Sequence, residues 1–454
     1  MDTARLRLLG WRANVARMRT LVCVWAFLLC GAQAVGAEKA EMQGRRQRAA
    51  SAFRDGILLI HAKSALDLTG DGFRQDAAFY YFTALENTLA ALLAIDGRTG
   101  ESWLFLPTHQ PYYKRVEPEV SPGADAAKRL GIEHVVDWTE LEGFLAQRAN
   151  SASPLYYIDS AREELPANVS GGTAPDAPLW LIGIAKKWPA FQPKPAGDRV
   201  SDLMAVQSPS ETSELRAAAR ATVPAVLAGM RAIRPGASQR SVEAAVENAC
   251  WQQGAHGTSF WPWAMAGPNG VFPAPFMAGI RYNHLDAVMR PGDLVRLDVG
   301  CEWNHYQGDL GRTVPVSGRY SEEQRETWNI FVAAYQAGVK ALREGITVDQ
   351  VFDVWRKELM LHRESAKSDM TKSAIDSWSK RENIRFWQLH TINLDAGRIE
   401  VPLAAGTTIA FEPIASIDDQ GFYLEDMFLI TKNGAELLTP GVPYAAEEIE
   451  AAMR

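Results

Sequence analysis

The sequence predicts two domains behind an export segment: an α/β N-terminal domain and an α+β C-terminal domain. Three observations predict this. The chain has 454 residues, more than one ordinary core holds. Strand-length apolar runs alternate with a helical stretch as far as about residue 158. Beyond a region rich in Pro, Gly and Ser, long capped helices alternate with apolar strands. The composition, 47% apolar and 22% charged, is that of a globular chain, and no repeat of 20–50 residues is visible.

Residues 1–37 read as a secretory signal. Arg5, Arg7, Arg12, Arg17 and Arg19 make a basic start, and "TLVCVWAFLLCGAQAVGA" (Thr20–Ala37) adds an apolar run ending in small residues. Cleavage after Ala37 or Ala34 fits; an uncleaved anchor is the alternative. No later stretch has ~18 uninterrupted apolar residues, so no other membrane span is expected. The mature protein is then secreted or periplasmic and free of the membrane. Without residues 1–37, 42 basic residues face 53 acidic ones, a net charge of −11, which excludes nucleic acid as a partner. Cys250 and Cys301 remain. Two buried free thiols are the expectation, a single bridge the alternative in an oxidising compartment.

In the N-terminal domain (38–200), residues 45–69 read as helix and then a short strand, "GILLIHAK". "DAAFYYFTAL" (Asp76–Leu85), "TLAALLAIDG" and "ESWLFLP" follow as strand-length runs, with "DGRTG" as a turn. "HVVDWTELEGFLAQRAN" (His134–Asn150) reads as helix, and "PLYYIDS" and "LWLIGI" as strands. The interdomain linker is expected near residues 190–207. The C-terminal domain (206–454) opens with a capping box, "SPSE", in which Ser208 caps, Pro209 suits the first helical position and Glu211 reaches back. Helices are expected over Glu211–Ile233, Ser238–Gln253 and Ser321–Glu344. Strands are expected at Leu294–Gly300, Thr313–Val316, Thr408–Phe411 and Met427–Thr431.

These strands carry acids where apolar residues belong. Asp298 interrupts "LVRLDVG", Asp309 precedes "LGRTVPV", Glu412 sits in "TIAFEPI" and Glu425 in "FYLEDMFLIT"; His390 sits in "IRFWQLHTINL". A buried carboxylate costs several kcal/mol unless its charge is compensated. Ion pairs would need several buried arginines, and Arg296, Arg312 and Arg385 are the ones near in sequence. Four carboxylates and one imidazole are instead the ligand set of two divalent ions, which share bridging carboxylates.

The order Asp-x₁₀-Asp, a distant His, Glu-Pro, then Glu-Asp in a last apolar strand resembles the pita-bread metallopeptidases, above all Xaa-Pro aminopeptidases and prolidases. "RPGDLVRLDVGCEWNHYQGDLGRTVPVSG" is similar to the family's motif around its two Asp. "GPNG" (Gly267–Gly270), "TPGVP" and, in a creatinase-type N-terminal domain, "FYYFTALEN" extend the resemblance from about residue 45 to the end. It implies a pita-bread fold for the C-terminal domain and two divalent ions, Mn²⁺ first, with Co²⁺, Zn²⁺ or Fe²⁺ as alternatives. Asp298 would chelate one ion, Asp309 and Glu425 would bridge both, and His390 and Glu412 would hold the second. Water between the ions would attack the first peptide bond of a small peptide, plausibly before proline, with Glu412 accepting its proton. Members are often dimers, so a homodimer is carried over without support from any feature of this sequence.

Two assisting histidines of the family are missing. The position seventeen residues before Asp298 is Arg281, and the one seven after His390 is Gly397. His284, three residues on, is a candidate replacement through a loop shift. Arg281 is a candidate cation for a substrate carboxylate. His305 is expected to cap the hairpin between the two Asp. "FWPWAM" (Phe260–Met265) is expected either to line a specificity pocket or to pack in the core. Two readings compete with an aminopeptidase: a pseudo-peptidase kept as a binding module, which the missing histidines favour, and hydrolysis of another C–N bond, as in the creatinase branch, which the intact ligands oppose.

Overall fold

The computed structural model describes residues 39–64, 73–111, 113, 118–149, 153–158, 179–271, 287–384, 389–394 and 402–454. Residues 1–37, read above as a secretory signal, and Arg281, His284, Arg385 and Gly397 lie outside these residues. The chain divides into two compact units, the first running to Leu203 and the second starting at Met204.

In the first unit a helix α1 (39–52) leads into β1 (Ile57–His61). Then come α2 (Ala77–Thr83), β2 (Leu92–Asp96), β3 (Ser102–Leu106), α3 (Ala124–Leu130), β4 (His134–Asp137), α4 (Leu141–Arg148), β5 (Ser153–Tyr157), α5 (Leu179–Lys187), β6 (Phe191–Pro195) and α6 (Gly197–Ala205). The six strands form one sheet in the order β4-β3-β2-β1-β5-β6. It is mixed: β1–β2 and β2–β3 are antiparallel, while β1–β5, β3–β4 and β5–β6 are parallel. Ile57, Leu59, Leu92, Ala94, Phe105 and Leu155 fill its core.

Four readings of this unit need correction. "AAFYYFT" is a helix, because Asp76 accepts from the Phe79 amide as N-cap and Ala84 closes the other end in the left-handed conformation. "LWLIGI" also lies in a helix; a short apolar run does not reveal its own period. "HVVD" is a strand, cut off where the Asp137 side chain accepts from the Thr139 amide. The expected linker is structured. Pro193 and Pro195 sit on β6, an edge strand, where missing N–H groups cost no ladder bonds.

The second unit opens with α7 (Pro209–Ala232), whose capping box forms as expected, and α8 (Gln239–Gln252). Short strands β7 (Gly257–Thr258) and β8 (Trp263–Ala266) precede the hairpin of β9 (Leu294–Val299), β10 (Cys301–Trp303), β11 (Tyr306–Gln307) and β12 (Leu310–Pro315). Helices α9 (Glu322–Ala341), α10 (Val348–Leu361) and α11 (Asp369–Trp378) follow, then β13 (Leu389–Thr391), β14 (Thr408–Phe411), β15 (Ile414–Ile417), β16 (Gln420–Thr431), β17 (Gly434–Leu437) and α12 (Ala446–Ala452). The main sheet runs β13-β14-β16-β12-β9-β8, with β15 and β17 also pairing to β16. Neighbours on this path are antiparallel. Trp328, Phe331, Trp355 and Trp378 pack a helical layer against Phe422 and its neighbours. The expected strands Thr313–Val316 and Met427–Thr431 are parts of the longer β12 and β16.

Cys250 on α8 and Cys301 on β10 form a disulfide, not two free thiols; their Cα atoms are 5.4 Å apart, inside the bridging range. Folding α8 against the hairpin brings together positions whose sequence separation of 51 gave no sign of pairing.

Candidate metal centre

Antiparallel pairing places directly opposed residues on the same face, and residues two apart share a face. Gly311 on β12 stands opposite both Asp298 on β9 and Glu425 on β16. Asp309 lies two residues before Gly311. Met427, two beyond Glu425, opposes Ala410, which opposes His390. Glu412 is two beyond Ala410. Register alone therefore puts all five predicted ligands on one face, across β9, β12, β16, β14 and β13. Gly311 at the centre has no room for a side chain: a Cβ there would meet Tyr423 Cε1 at 1.9 Å.

The side chains converge as the register requires. His390 Nε2 lies 3.3 Å from Glu412 Oε1, 3.7 Å from Asp309 Oδ2 and 4.0 Å from Glu425 Oε1. Donor atoms of Asp309, His390 and Glu425 lie within 4.8 Å of one another. Asp298, Glu412, Glu425 and His390 are buried. Tyr423, on the same face of β16, donates to Glu425 Oε2 at 2.5 Å and approaches Glu412 Oε2 at 3.3 Å. Asp298 Oδ2 accepts from Arg296 Nη2 at 3.0 Å.

Electrostatics follow from crowding acids in a dry site. Burial first, then the charges of neighbouring acids, push the carboxyl groups of Asp309 and Glu425 well above the usual carboxylate range. Burial also raises Asp298, against the pull of Arg296, and Glu412, against the pull of His390. Burial would lower His390, but its hydrogen bond to Glu412 and the charges of Glu412 and Asp309 prevail and raise it to about 9.

Two oxygens show what the cluster fits. Asp309 Oδ1 and Glu425 Oε1 are buried with no hydrogen-bond donor among the described residues. Orphaned carboxylate oxygens are costly inside a protein, and a cation among them removes the cost. Carboxylates with one imidazole suit borderline divalent ions. Behind the site, Arg312 and Asp426, both wholly buried, pair at 3.1 Å. Tyr335, Tyr444 and Thr439 also donate to Asp426.

Residues 213–432 match the model of metallopeptidase family M24, and residues 42–156 match that of the aminopeptidase P N-terminal domain. The chain resembles the metallopeptidases of family M24. The chain is 26% identical over 458 residues to an Xaa-Pro aminopeptidase of Escherichia coli, covering 91% of this chain and 97% of that protein. It is 28% identical over 247 residues to an Xaa-Pro dipeptidase of Pyrococcus furiosus, covering 54% of this chain and 66% of that protein. Among solved structures, E. coli aminopeptidase P with the inhibitor Pro-Leu superposes with a TM-score of 0.71 at 25% identity, over 91% of this chain and 98% of that one. The α/β plus pita-bread architecture expected from the sequence is the architecture found.

The remaining expectations sort by position. His305 sits in the two-residue tip of the β10–β11 hairpin with φ 70°. His61, His109, His134, His256 and His362 are outside the cluster. Trp263 opposes Asp298 on the site face and stacks on Trp261 with ring centroids 5.2 Å apart, a wall beside the acids. Tyr423 escaped the sequence reading. Its signal was position, since it lies two residues before Glu425 on a strand. Ion pairing needs a correction: Arg296 and Arg312 are both buried and paired to acids, Arg296 to Asp298 in the cluster and Arg312 to Asp426 behind it.

Proposed function

We propose that this metal-dependent aminopeptidase works with two divalent ions, Mn²⁺ first among the candidates, and releases the N-terminal residue of small peptides, Xaa-Pro sequences included. The observation that supports it most is the convergence of four carboxylates and His390 on one sheet face with two carboxylate oxygens left unpartnered. Asp309 and Glu425, central in the cluster, would hold ions jointly; His390 and Glu412 would complete one position and Asp298 the other. Bound ions would acidify water and polarise a peptide carbonyl. Glu412 is the proton acceptor: one oxygen faces His390, and the other is within 3.3 Å of the Tyr423 hydroxyl. Burial and acidic neighbours keep the Tyr423 hydroxyl protonated, so it serves as a fixed donor that orients Glu425 and Glu412. Trp263 supplies an apolar wall for the substrate's first side chains.

The catalytic roles of Arg281 and His284 belong to the same proposal, Arg281 as cation for a substrate carboxylate and His284 in place of a missing histidine. Export to the periplasm or outside the cell is also proposed. The Cys250–Cys301 bridge supports it, because such bridges persist in oxidising compartments.

The test uses residues 38–454, stripped of metal, restored with Mn²⁺, Co²⁺ or Zn²⁺, and offered Xaa-Pro and Xaa-Ala peptides beside an Asp309→Ala variant. Metal-dependent release of the first residue, abolished in the variant, is expected. Metal binding with no cleavage would favour the pseudo-peptidase reading, which the replacement of two histidines by Arg281 and Gly397 supports.

A further inference from the structure

We propose that Trp261 and Trp263 form the subsite for the side chain of the substrate's first residue and select aromatic residues there over small ones. This rests on the reading of the chain as an aminopeptidase.

The run "FWPWAMA" (260–266) sorts by strand parity. Ala264 and Ala266 join the hydrophobic core of the second unit, and among the described residues that core takes neither Trp261 nor Trp263. The tryptophans that do fill it, Trp328, Trp355 and Trp378, are buried, whereas Trp261 and Trp263 are both partly exposed. Trp263 and Met265 face the other way. Register sets Trp263 against Asp298 and Met265 against Arg296. Trp261 lies two residues before Trp263, and the two rings stack at 5.2 Å with 21° between their planes. β8 is the end strand of the main sheet path on this side. The indole pair is therefore a wall at the edge of the acid cluster, and core packing does not account for it.

The reaction decides which part of a substrate meets this wall. An aminopeptidase attacks the carbonyl of the first residue, so that carbonyl has to lie at the cluster. The first side chain leaves from the atom next to it. Directly opposed residues on antiparallel strands hold their Cβ atoms about 4.5–5.5 Å apart, and Trp263 stands in that relation to Asp298. A side chain directed toward β8 from a carbonyl held at the acids meets the indole at once.

The wall's chemistry sets the preference. Two stacked indoles present a broad, flat, apolar surface. An aromatic ring covers such a surface and gains from ring-to-ring geometry beyond the area it buries; a methyl group covers little of it. From Trp261 to Ala266 the run carries no charged side chain, so a basic or acidic first residue finds no ion pair on it.

The purified protein, restored with Mn²⁺, is offered the series Xaa-Pro-Ala with Phe, Trp, Leu, Ala or Gly as Xaa, and release of Xaa is followed by chromatography. kcat/KM should be about 10–100-fold higher for Phe than for Ala. Most of the difference should lie in KM, because the wall touches the bound substrate and the transition state alike. Trp263→Ala and Trp261→Ala should each bring the ratio within about threefold, and Trp263→Phe should keep most of it. Equal kcat/KM for Phe and Ala in the wild type would overturn the proposal, whether or not the variants fold, and would leave the aminopeptidase reading standing. Release of no first residue from any peptide would overturn that reading instead. A Trp263→Ala variant, folded by circular dichroism, that keeps the full ratio would show that the pair is not the subsite. One that loses a preference for Pro over Ala at the second position, with the first-position ratio intact, would give the wall to the second residue and overturn the proposal too.

Discussion

Replacing Arg312 with methionine removes a buried charge while roughly keeping the length of the side chain. The loss can be worked from its contacts. Asp426, with no exposed side-chain surface, would lose its cation, and the carbonyls of Gly311, Glu425, Val442 and Pro443 would each lose a donor. Breaking a buried pair from one side costs about 3–5 kcal/mol. For a unit of this size that lowers the melting temperature by roughly 6–20 °C. The tyrosines and Thr439 around Asp426 would still donate to it, which places the expectation toward the lower end. The assay is thermal unfolding followed by circular dichroism, with Arg312→Met beside the double variant Arg312→Met, Asp426→Leu. The double variant should recover part of the loss, because no uncompensated carboxylate remains. A single variant melting within about 2 °C of the wild type would refute the reasoning, as would a double variant less stable by the sum of both single changes.

Four further outcomes are expected. Asp309→Asn should keep the fold and lose tightly bound metal, read by elemental analysis after dialysis; full metal content would remove Asp309 from the centre. Metal-free protein should lose stability as the pH rises from 6 to 9.5, with the sign set by pKa values raised on folding. His390, raised from its ordinary value to about 9, contributes on the order of 3 kcal/mol below its unfolded pKa and loses it as the pH passes 9. The raised Asp309 and Glu425 act in the same direction, and a melting temperature that climbs with pH would contradict all three. Gly311→Ala should drive Tyr423 away from Glu425 and weaken metal binding about 10–100-fold, and unchanged affinity in dialysis would show that Tyr423 orients nothing. Removing both cysteines should cost about 4 kcal/mol in urea unfolding, from the entropy of a loop closed across 51 residues; an unchanged midpoint would mean the bridge is absent in solution.

The five ligands could be read from the sequence because each breaks the character of an apolar strand, and strands expose such a break plainly. Arg296 and Tyr423 break it too, yet they were read as a pairing candidate and as plain strand. Both lie two residues from a ligand, and strand parity alone would have placed them in the site. The misreadings in the first unit have a different cause. "AAFYYFT" and "LWLIGI" are apolar on every side, so neither period shows, and in the former the decision lay with Asp76 outside the run. The disulfide was illegible because two cysteines without a motif carry no distance information. For the "FWPWAM" run the sequence leaves a pocket wall and core packing both open, because the facing of Trp263 depends on pairing with β9.

The hairpin that carries Asp298 and Asp309 separates two jobs along one stretch of chain. Register between β9 and β12 aims the acids, while β10 and β11 leave that sheet for another and return through a tip at Asn304 and His305. Lengthening the tip by two residues would leave both acids facing inward. Inserting one residue between Asp309 and Gly311 would turn Asp309 to the opposite face and dismantle the centre. The ten-residue gap is therefore a property of this tip rather than of the chemistry. A relative with a longer excursion could hold the same cluster while failing any search that demands the same spacing.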